Sequence, residues 1–251
     1  MMGKTVLALV AHPDDIEFMM AGTLFRLKDM GYEIHYMTIA NGSCGTIEYS
    51  YDDIVRMRRS EAMAAAEYMG AVYHESLAND FEVFYQDDLI RKVAAVIRTV
   101  RPDIVFLPSM EDYMEDHMIS ARIGVTAAFA KGCPNYVSIP PIDAIQMDVV
   151  LYHAMPSGLL DMMGRPIVPT LYVDISGVMD RKTTMLGMHK SQQSWLDASQ
   201  GMNEYLLTME NMSRQVGILS GKYEFAEGWR LHNRLGYSRT RLDPLGELFA
   251  R

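Results

Sequence analysis

The chain has 251 residues, enough for one large α/β domain. Its 49% hydrophobic and 22% charged residues are typical of a globular protein and exclude a disordered or fibrous one. The formal net charge of −9 offers no basic surface, so we expect no nucleic-acid partner.

The sequence also predicts where the protein resides. No apolar run has the length of a membrane span, and residues 1–10 lack the features of a secretion signal, so we expect no membrane association. Cys44 and Cys133 lie far apart and form no paired motif. We therefore expect a reduced, cytoplasmic protein without disulfides.

Apolar periodicity predicts alternating strands and helices in the first half of the chain. The predicted strands are residues 6–10, 34–39, 72–77 and 104–107, and the predicted helices are residues 17–30, 53–69, 87–100 and 116–130. This alternation indicates a Rossmann-like α/β fold with a doubly wound, mostly parallel sheet.

The second half is patterned differently. An irregular proline-rich segment at residues 132–143 precedes predicted strands at 149–153 and 171–175 and predicted helices at 177–188 and 202–219. Residues 225–251 lack clear periodicity, so we expect them to wrap the surface or to contact another subunit of a homo-oligomer. The expected organisation is one domain over residues 1–251, with a βα core at 1–131 and a C-terminal elaboration at 132–251.

A polar motif, AHPDDIE, directly follows the first predicted strand at residues 11–17. Ligands of open α/β sheets bind at the carboxyl ends of strands. A glycine-rich loop there would hold a phosphate, whereas this loop offers an imidazole and carboxylates, which suit a cation. His12 and Asp15 suit zinc, and Asp14 between them can point away and act as a general base. The alternative is a packed His12 with the aspartates capping a helix.

A catalytic zinc needs about three protein ligands. His117 follows the strand at residues 104–107, so it reaches the same sheet edge as His12 if the two strands are neighbours. His153 and His189 are intermediate candidates, and the alternative for each is a core histidine or a support behind the site.

These residues make the chain resemble the PIG-L/LmbE-like N-acetylglucosaminyl deacetylase family. AHPDDIE is similar to the AHPDDE-type signature of that family, with one additional residue before the glutamate. The resemblance continues over most of the chain, through Asn41-Gly42, the Arg58 to Glu61 pair, Arg101-Pro102-Asp103, the helix containing His117 and the HKSQ segment at 189–192. It implies zinc held by His12, Asp15 and His117, with Asp14 as the general base and an acetylated amino sugar as the substrate.

One position departs from the family pattern. Many members carry His-x-x-His at the third ligand, where the first histidine stabilises the oxyanion. Met114 occupies that position here and has no hydrogen to donate. We expect His153 or Tyr113 to supply the missing donor, and we place Met114 among the substrate-binding residues.

Arg58, Asn41 and Asp80 are the other candidate substrate-binding residues. The family places an arginine near the pocket, which implies that role for Arg58; the alternative is a helix-surface pair with Glu61. Asn41 and Asp80 either contact substrate hydroxyls or form turns.

The resulting hypothesis is a zinc-dependent hydrolase that removes an N-acetyl group from an amino-sugar-containing small molecule. Metal-activated water attacks the amide while Asp14 takes the proton. A metal-dependent N-acyl amidase with a non-sugar substrate stays open, because methionines near the motifs would suit a less polar ligand. A non-catalytic zinc-binding module also stays open because of Met114, although a structural zinc site would have no use for the base Asp14.

Overall fold

The computed structural model describes residues 4–192 and 205–249, and within them seven strands form one sheet. The strands are β1 (Thr5–Val10), β2 (Glu33–Thr38), β3 (Val72–His74), β4 (Ile104–Leu107), β5 (Val150–Ala154), β6 (Leu171–Asp174) and β7 (Ala226–Leu231). Their order across the sheet is β3-β2-β1-β4-β5-β7-β6. β1 to β5 pair in parallel, and β7 is antiparallel to both of its neighbours. The predicted doubly wound, mostly parallel fold is confirmed.

Helices cover both faces of the sheet. They are α1 (Asp15–Met19), α2 (Ala21–Asp29), α3 (Tyr51–Met69), α4 (Asp87–Val100), α5 (Glu115–Ala130), α6 (Met179–Leu186), α7 (Tyr205–Ser220) and α8 (Pro244–Phe249). Val6, Ala8 and Val10 of β1 pack in the core with α1–α3 and α6–α8, whereas Leu7 and Leu9 pack with α4 and α5. Because β1 is buried on both faces, its sequence is a continuous apolar run.

The strand order creates a crevice at the carboxyl edge of the sheet. β1 pairs with β2 on one side and with β4 on the other, so the chain reverses its winding direction at β1. Ligands of open α/β sheets bind at such a switch point. His12 follows β1 and His117 follows β4, so the two predicted ligands arise from neighbouring strands.

The predicted single helix at residues 17–30 is two helices, which separate at Met20. The break follows from a contact that is distant in sequence. The N–H groups of Gly22 and Thr23 donate to the carboxylate of Glu227 at 2.8 and 2.7 Å, instead of to carbonyls of a preceding helical turn. Glu227 therefore satisfies the first amides of α2.

The expectation that residues 225–251 wrap the surface was wrong for Ala226–Leu231, because this strand, β7, lies inside the sheet between β5 and β6, and α8 follows it. Contact of this segment with another subunit stays a prediction. The sequence of β7 contains polar and small residues at buried positions, so it lacks the apolar pattern from which a strand is predicted. Glu227 is buried because it caps α2 and pairs with Lys182 at 2.6 Å. Gly228 is required because a Cβ there would lie 2.4 Å from a side-chain carbon of Pro169.

Smaller differences concern element ends and exposure. β3 ends at His74 rather than at residue 77, and the predicted start of the α7 helix at residue 202 lies outside the described residues. Cys44 and Cys133 are free and exposed. Within the described part of the chain, no helix is long and apolar enough to cross a membrane.

Candidate active site

In the turn after β1, the side chains of the two aspartates point in different directions. Asp15 N–H donates to the carbonyl of His12 at 3.3 Å, and His12 N–H donates to Asp15 Oδ2 at 2.8 Å. Asp14 has a φ of 111°, a region that few residues other than glycine adopt. As a result, Asp15 faces His12 and His117, whereas the Asp14 carboxylate faces Arg58 and Tyr205.

His12, Asp15 and His117 form a buried cluster. One potential ligand atom from each lies within 4.8 Å of the other two. Asp15 Oδ2 is 3.7 Å from His12 Nδ1, and Asp15 Oδ1 is 3.4 Å from His117 Nε2. The structure therefore brings together the three residues that the sequence indicated as metal ligands. Two imidazoles and one carboxylate form a donor set that a catalytic zinc accepts.

Two further carboxylates hold the imidazoles. His12 Nε2 is 3.1 Å from Asp116 Oδ2, and His117 Nδ1 is 3.1 Å from Asp112 Oδ1. Each ring thus directs one nitrogen to a supporting carboxylate and the other toward the cluster. This arrangement is usual around metal-bound histidines, because the outer carboxylate fixes the tautomer and the ring orientation.

The cluster stabilises positive charge. Burial lowers the pKa of His12, but its hydrogen bond to Asp116 and the nearby carboxylate of Asp15 outweigh burial and raise that pKa to about 9. Burial also lowers the pKa of His117, and Asp15 and Asp112 raise it well above its usual value. Burial raises the pKa of Asp15, but both imidazoles outweigh it and hold the pKa below its usual range. A cation bound between neutral imidazoles would satisfy the same carboxylates.

Asp14 lies beside the cluster and has its own partners. Tyr205 donates its hydroxyl to Asp14 Oδ2 at 2.5 Å. Arg58 Nη2 is 3.4 Å from Asp14 Oδ1 and also donates to the carbonyl of Pro13. Burial raises the pKa of Asp14, while Arg58 and Tyr205 oppose that rise. Asp14 is therefore an oriented carboxylate that can exchange a proton next to the candidate metal centre.

His189 supports the motif from behind. Its Nε2 is 3.1 Å from Glu17 Oε1, and Tyr36 donates to Glu17 Oε2 at 3.2 Å. His189 and Glu17 are fully buried. His189 therefore connects the HKSQ segment to α1 beneath the cluster. Of the alternatives given for His189, this is the supporting residue behind the site.

His153 is the one predicted catalytic residue that the structure does not bring to the site. Its Nδ1 is 2.8 Å from the carbonyl of Pro108, and its Nε2 is 3.0 Å from His232 Nδ1. Burial lowers the pKa of His153 to about 4. Both nitrogens of this neutral ring are used in packing contacts, and the ring does not border the cavity described next, so the expected placement was wrong.

A cavity of about 360 Å³ opens onto the cluster and Asp14. Its wall includes three of the predicted substrate-binding residues: Arg58, Asp80 and Met114. The carboxylate of Asp80 also accepts hydrogen bonds from the backbone amides of Gly42 and Cys44, at 2.7 and 2.9 Å.

Asn41, the fourth predicted substrate-binding residue, does not border this cavity. Its side-chain oxygen accepts from the Ser43 amide at 3.1 Å, and its side-chain amide donates to Asn79 at 2.8 Å. The side chain therefore shapes the loop after β2, which is the turn-forming alternative left open for it.

Several residues of the site were not assigned from the sequence. Asp112 and Asp116 flank His117 in the same short segment, so their positions were a usable signal for supporting carboxylates. Tyr205 lies 191 residues from Asp14 and belongs to no motif, so only the packing of α7 reveals it. Phe18 and Phe81 border the cavity and carry no sequence pattern for that role.

The fold and the site define an α/β protein with a buried His–Asp–His candidate metal centre at the switch point of its sheet. Residues 7–128 match the family described as "PIG-L: GlcNAc-PI de-N-acetylase". This match confirms the resemblance to the PIG-L/LmbE-like family that AHPDDIE indicated.

Similar proteins catalyse more than one reaction. The chain is 29% identical over 236 residues to a diacetylchitobiose deacetylase of Thermococcus kodakarensis, covering 90% of this chain and 82% of that protein. It is also 29% identical over 157 residues to a 4-oxalmesaconate hydratase of Pseudomonas putida, covering 57% and 61%. The structure resembles N,N'-diacetylchitobiose deacetylase from Pyrococcus horikoshii with a TM-score of 0.77 at 23% identity, covering 96% of this chain and 88% of that one.

Proposed function

We propose that this protein is a zinc-dependent deacetylase that hydrolyses the N-acetyl group of an amino-sugar-containing substrate. One observation carries the proposal: the buried cluster of His12, Asp15 and His117 opens onto a cavity in which Asp14 stands beside the cluster, not within it. A structural metal site would close around four ligands and would not need an adjacent base.

The donor set and its surroundings fit zinc. Asp116 and Asp112 would keep His12 and His117 in the orientation that directs His12 Nδ1 and His117 Nε2 at the ion. Zinc bound there would supply a Lewis acid, which lowers the pKa of a water toward about 7 and polarises an amide carbonyl.

Asp14 acts as the general base and then as the general acid in the proposed reaction. It accepts a proton from the attacking water as the water oxygen adds to the amide carbon. It then delivers that proton to the nitrogen as the C–N bond breaks, which releases acetate and the free amine. Tyr205 and Arg58 hold the carboxylate in place for both transfers.

Tyr113 is the donor that we propose for the developing oxyanion, in place of the histidine that Met114 replaces. Its ring lies edge-on against the ring of His117, with centroids 5.6 Å apart, and it borders the cavity. Tyr113 is 57% exposed, and a phenol keeps its proton at neutral pH, so its hydroxyl is able to donate. Partial desolvation and the neighbouring carboxylates of Asp15 and Asp112 raise its pKa further. One such donor typically contributes about 10²–10³ in rate.

The side chains of the cavity wall suit a neutral sugar. Among the described residues of that wall, Arg58 is the only lysine or arginine, whereas Asp14, Asp15 and Asp80 contribute carboxylates. A substrate with several carboxylates would therefore depend on Arg58 and on the bound cation to balance its charge. Asp80 is the side chain that we assign to a sugar hydroxyl.

A second candidate, an N-acyl amidase with a less polar substrate, is favoured by one side of the cavity. Phe18, Met19 and Met114 form an apolar part of its wall. Met side chains adapt to irregular apolar ligands, so this surface suits either an acetyl methyl or a longer acyl chain.

A substrate panel tests the proposal. Acetate release is measured from N-acetylglucosamine, its β-1,4-linked dimer and an N-acetylated apolar amino acid, and hydration of a conjugated unsaturated tricarboxylate is followed by loss of absorbance. The proposal predicts acetate from the sugars. Turnover of the apolar amide alone would favour the amidase, hydration alone would favour the hydratase, and no turnover with zinc bound would leave a non-catalytic module.

A further inference from the structure

Phe81 is an exposed aromatic residue at the cavity. Its exposed fraction is 65%, and it forms part of the wall shared with Asp14 and the cluster. Folding normally removes a phenylalanine ring from water, which is worth roughly 1.5–3 kcal/mol. Single exposed apolar residues are common on protein surfaces, but this ring lies in the wall of the cavity that opens onto the candidate metal centre, where a bound ligand would cover it.

The backbone of Phe81 is held in an unusual conformation. Its φ of 61° lies in the left-handed region, which costs a bulky residue on the order of 1–3 kcal/mol and persists only where the surroundings impose it. Phe81 N–H donates to Asp116 Oδ2 at 2.8 Å, and the same oxygen is 3.1 Å from His12 Nε2. One carboxylate oxygen thus fixes both the candidate metal ligand and the residue that presents the aromatic ring.

The residue before Phe81 makes this position rigid. The carboxylate of Asp80 accepts hydrogen bonds from two backbone amides of the loop after β2, and Asp80 N–H donates to Ser43 Oγ at 3.2 Å. Val83, two residues after Phe81, is buried in the core. The ring therefore projects from a segment that is anchored on both sides, at a fixed distance from the cluster.

We propose that Phe81 is a stacking platform for a second sugar ring, the one next to the ring that carries the reacting amide. This inference rests on the proposed function and names its substrate class, a disaccharide or longer glycan. The face of an aromatic ring is electronegative and attracts the polarised C–H face of a pyranose. The cavity volume of about 360 Å³ is near the lower end of the range of about 300–1,000 Å³ for ligand sites, so a second ring lies at the mouth, where Phe81 is exposed.

The chain provides a matched control on the same segment. Phe84 is 58% exposed but does not border the cavity. Phe84→Ala therefore removes a similar exposed ring without touching the proposed platform. For the test position, Phe81→Gly removes the ring and leaves a residue that adopts positive φ without strain. We expect Phe81→Gly to unfold at the wild-type temperature or above, so lost binding would not reflect lost folding.

The experiment measures binding of two deacetylated sugars, as product analogues, to the zinc-loaded protein by titration calorimetry. Glucosamine and its β-1,4-linked dimer are titrated into wild type, Phe81→Gly and Phe84→Ala. The wild type should bind the dimer more tightly than the monomer. Phe81→Gly should lose about tenfold in affinity for the dimer, the scale of one aromatic contact, with little change for the monomer. Phe84→Ala should match the wild type with both ligands.

Three results would overturn the platform. The first is equal dimer affinity in wild type and Phe81→Gly. The second is an equal loss for monomer and dimer, which would place Phe81 in the inner site. The third is a loss of affinity for the sugar dimer in both Phe81→Gly and Phe84→Ala, together with a lower molar mass of both proteins by light scattering, which would make this segment an interface between copies of the chain. Because product binding needs no turnover, a wild type that discriminates dimer from monomer but releases no acetate would refute the hydrolase and leave the platform standing.

Discussion

Removal of the Tyr205 hydroxyl should shift the acidic limb of the pH–rate profile of the proposed hydrolysis. Tyr205 donates to Asp14 Oδ2 at 2.5 Å, and both groups are buried, so this hydrogen bond stabilises the ionised carboxylate. Hydrogen bonds to charged groups contribute about 1.5–3 kcal/mol. Tyr205→Phe should therefore raise the pKa of Asp14 and disfavour its ionised form by about 10- to 100-fold.

The sign follows from the role of Asp14 as a base. A higher pKa leaves less ionised carboxylate at a given pH, so the acidic limb of kcat/KM should move to higher pH. On that limb the rate should fall by about 10- to 100-fold, and at high pH it should recover toward the wild type. The assay is acetate release from an N-acetyl sugar across the pH range, with zinc content measured on each sample.

Tyr152→Phe is the matched control for this change. Tyr152 also donates a largely buried hydroxyl to a carboxylate, Asp243 Oδ1 at 2.6 Å, but it does not border the cavity. Its removal should leave the acidic limb in place. A loss of rate in Tyr205→Phe that is the same at every pH would refute the reasoning, because it would show that Tyr205 does not set the protonation of Asp14.

Three further predictions concern other contacts. Tyr113→Phe should lower kcat by about 10²–10³ with zinc retained, and Met114→His in that background should recover part of the loss; a Tyr113→Phe enzyme with normal kcat would remove the hydroxyl from the mechanism. His153→Gln should keep near-normal activity, because the ring does not border the cavity. Since burial lowers the folded pKa of His153 to about 4, below its unfolded value, its contribution to stability is present above pH 6.5 and is lost as pH falls to 4. His153→Gln should therefore reduce the fall in unfolding free energy between pH 6.5 and pH 4 by about 3 kcal/mol, and an unchanged pH dependence of the free energy from urea unfolding would contradict this. Glu227→Gln should cost about 3–5 kcal/mol in urea unfolding, because Lys182 would stay buried without its partner, and Lys182→Met in the same chain should restore part of it. A loss below 1 kcal/mol in the single variant would show that the pair is not a major support of α2.

The strand–helix core could be predicted from the sequence because its signals are local. β1 is a run of apolar residues that ends at a polar motif, and the α3 and α4 helices are amphipathic and end in residues with positive φ. β7 could not be predicted this way. Glu227 and Gly228 in this strand are dictated by contacts with α2, Lys182 and Pro169, which are invisible until the chain is folded.

The same distinction holds for the candidate site. His12, Asp15 and His117 are brought together because each follows a strand of the switch point, and that relation can be inferred from strand order. Of the two candidate oxyanion donors, His153 does not border the cavity because its ring, although near the carboxyl end of β5, is directed to Pro108 and His232. Strand position indicates an edge of the sheet, but it does not determine the direction of a side chain.

The most direct test of the metal centre and its base is zinc content and turnover measured together in Asp14→Asn and His117→Ala. Asp14→Asn should retain about one zinc per chain, because three protein ligands remain. It should nevertheless lose nearly all acetate release, because the amide cannot accept the proton. His117→Ala should lose both zinc and turnover. Loss of zinc from Asp14→Asn, or wild-type zinc content in His117→Ala, would contradict the assignment of ligands and base on which the proposed function depends.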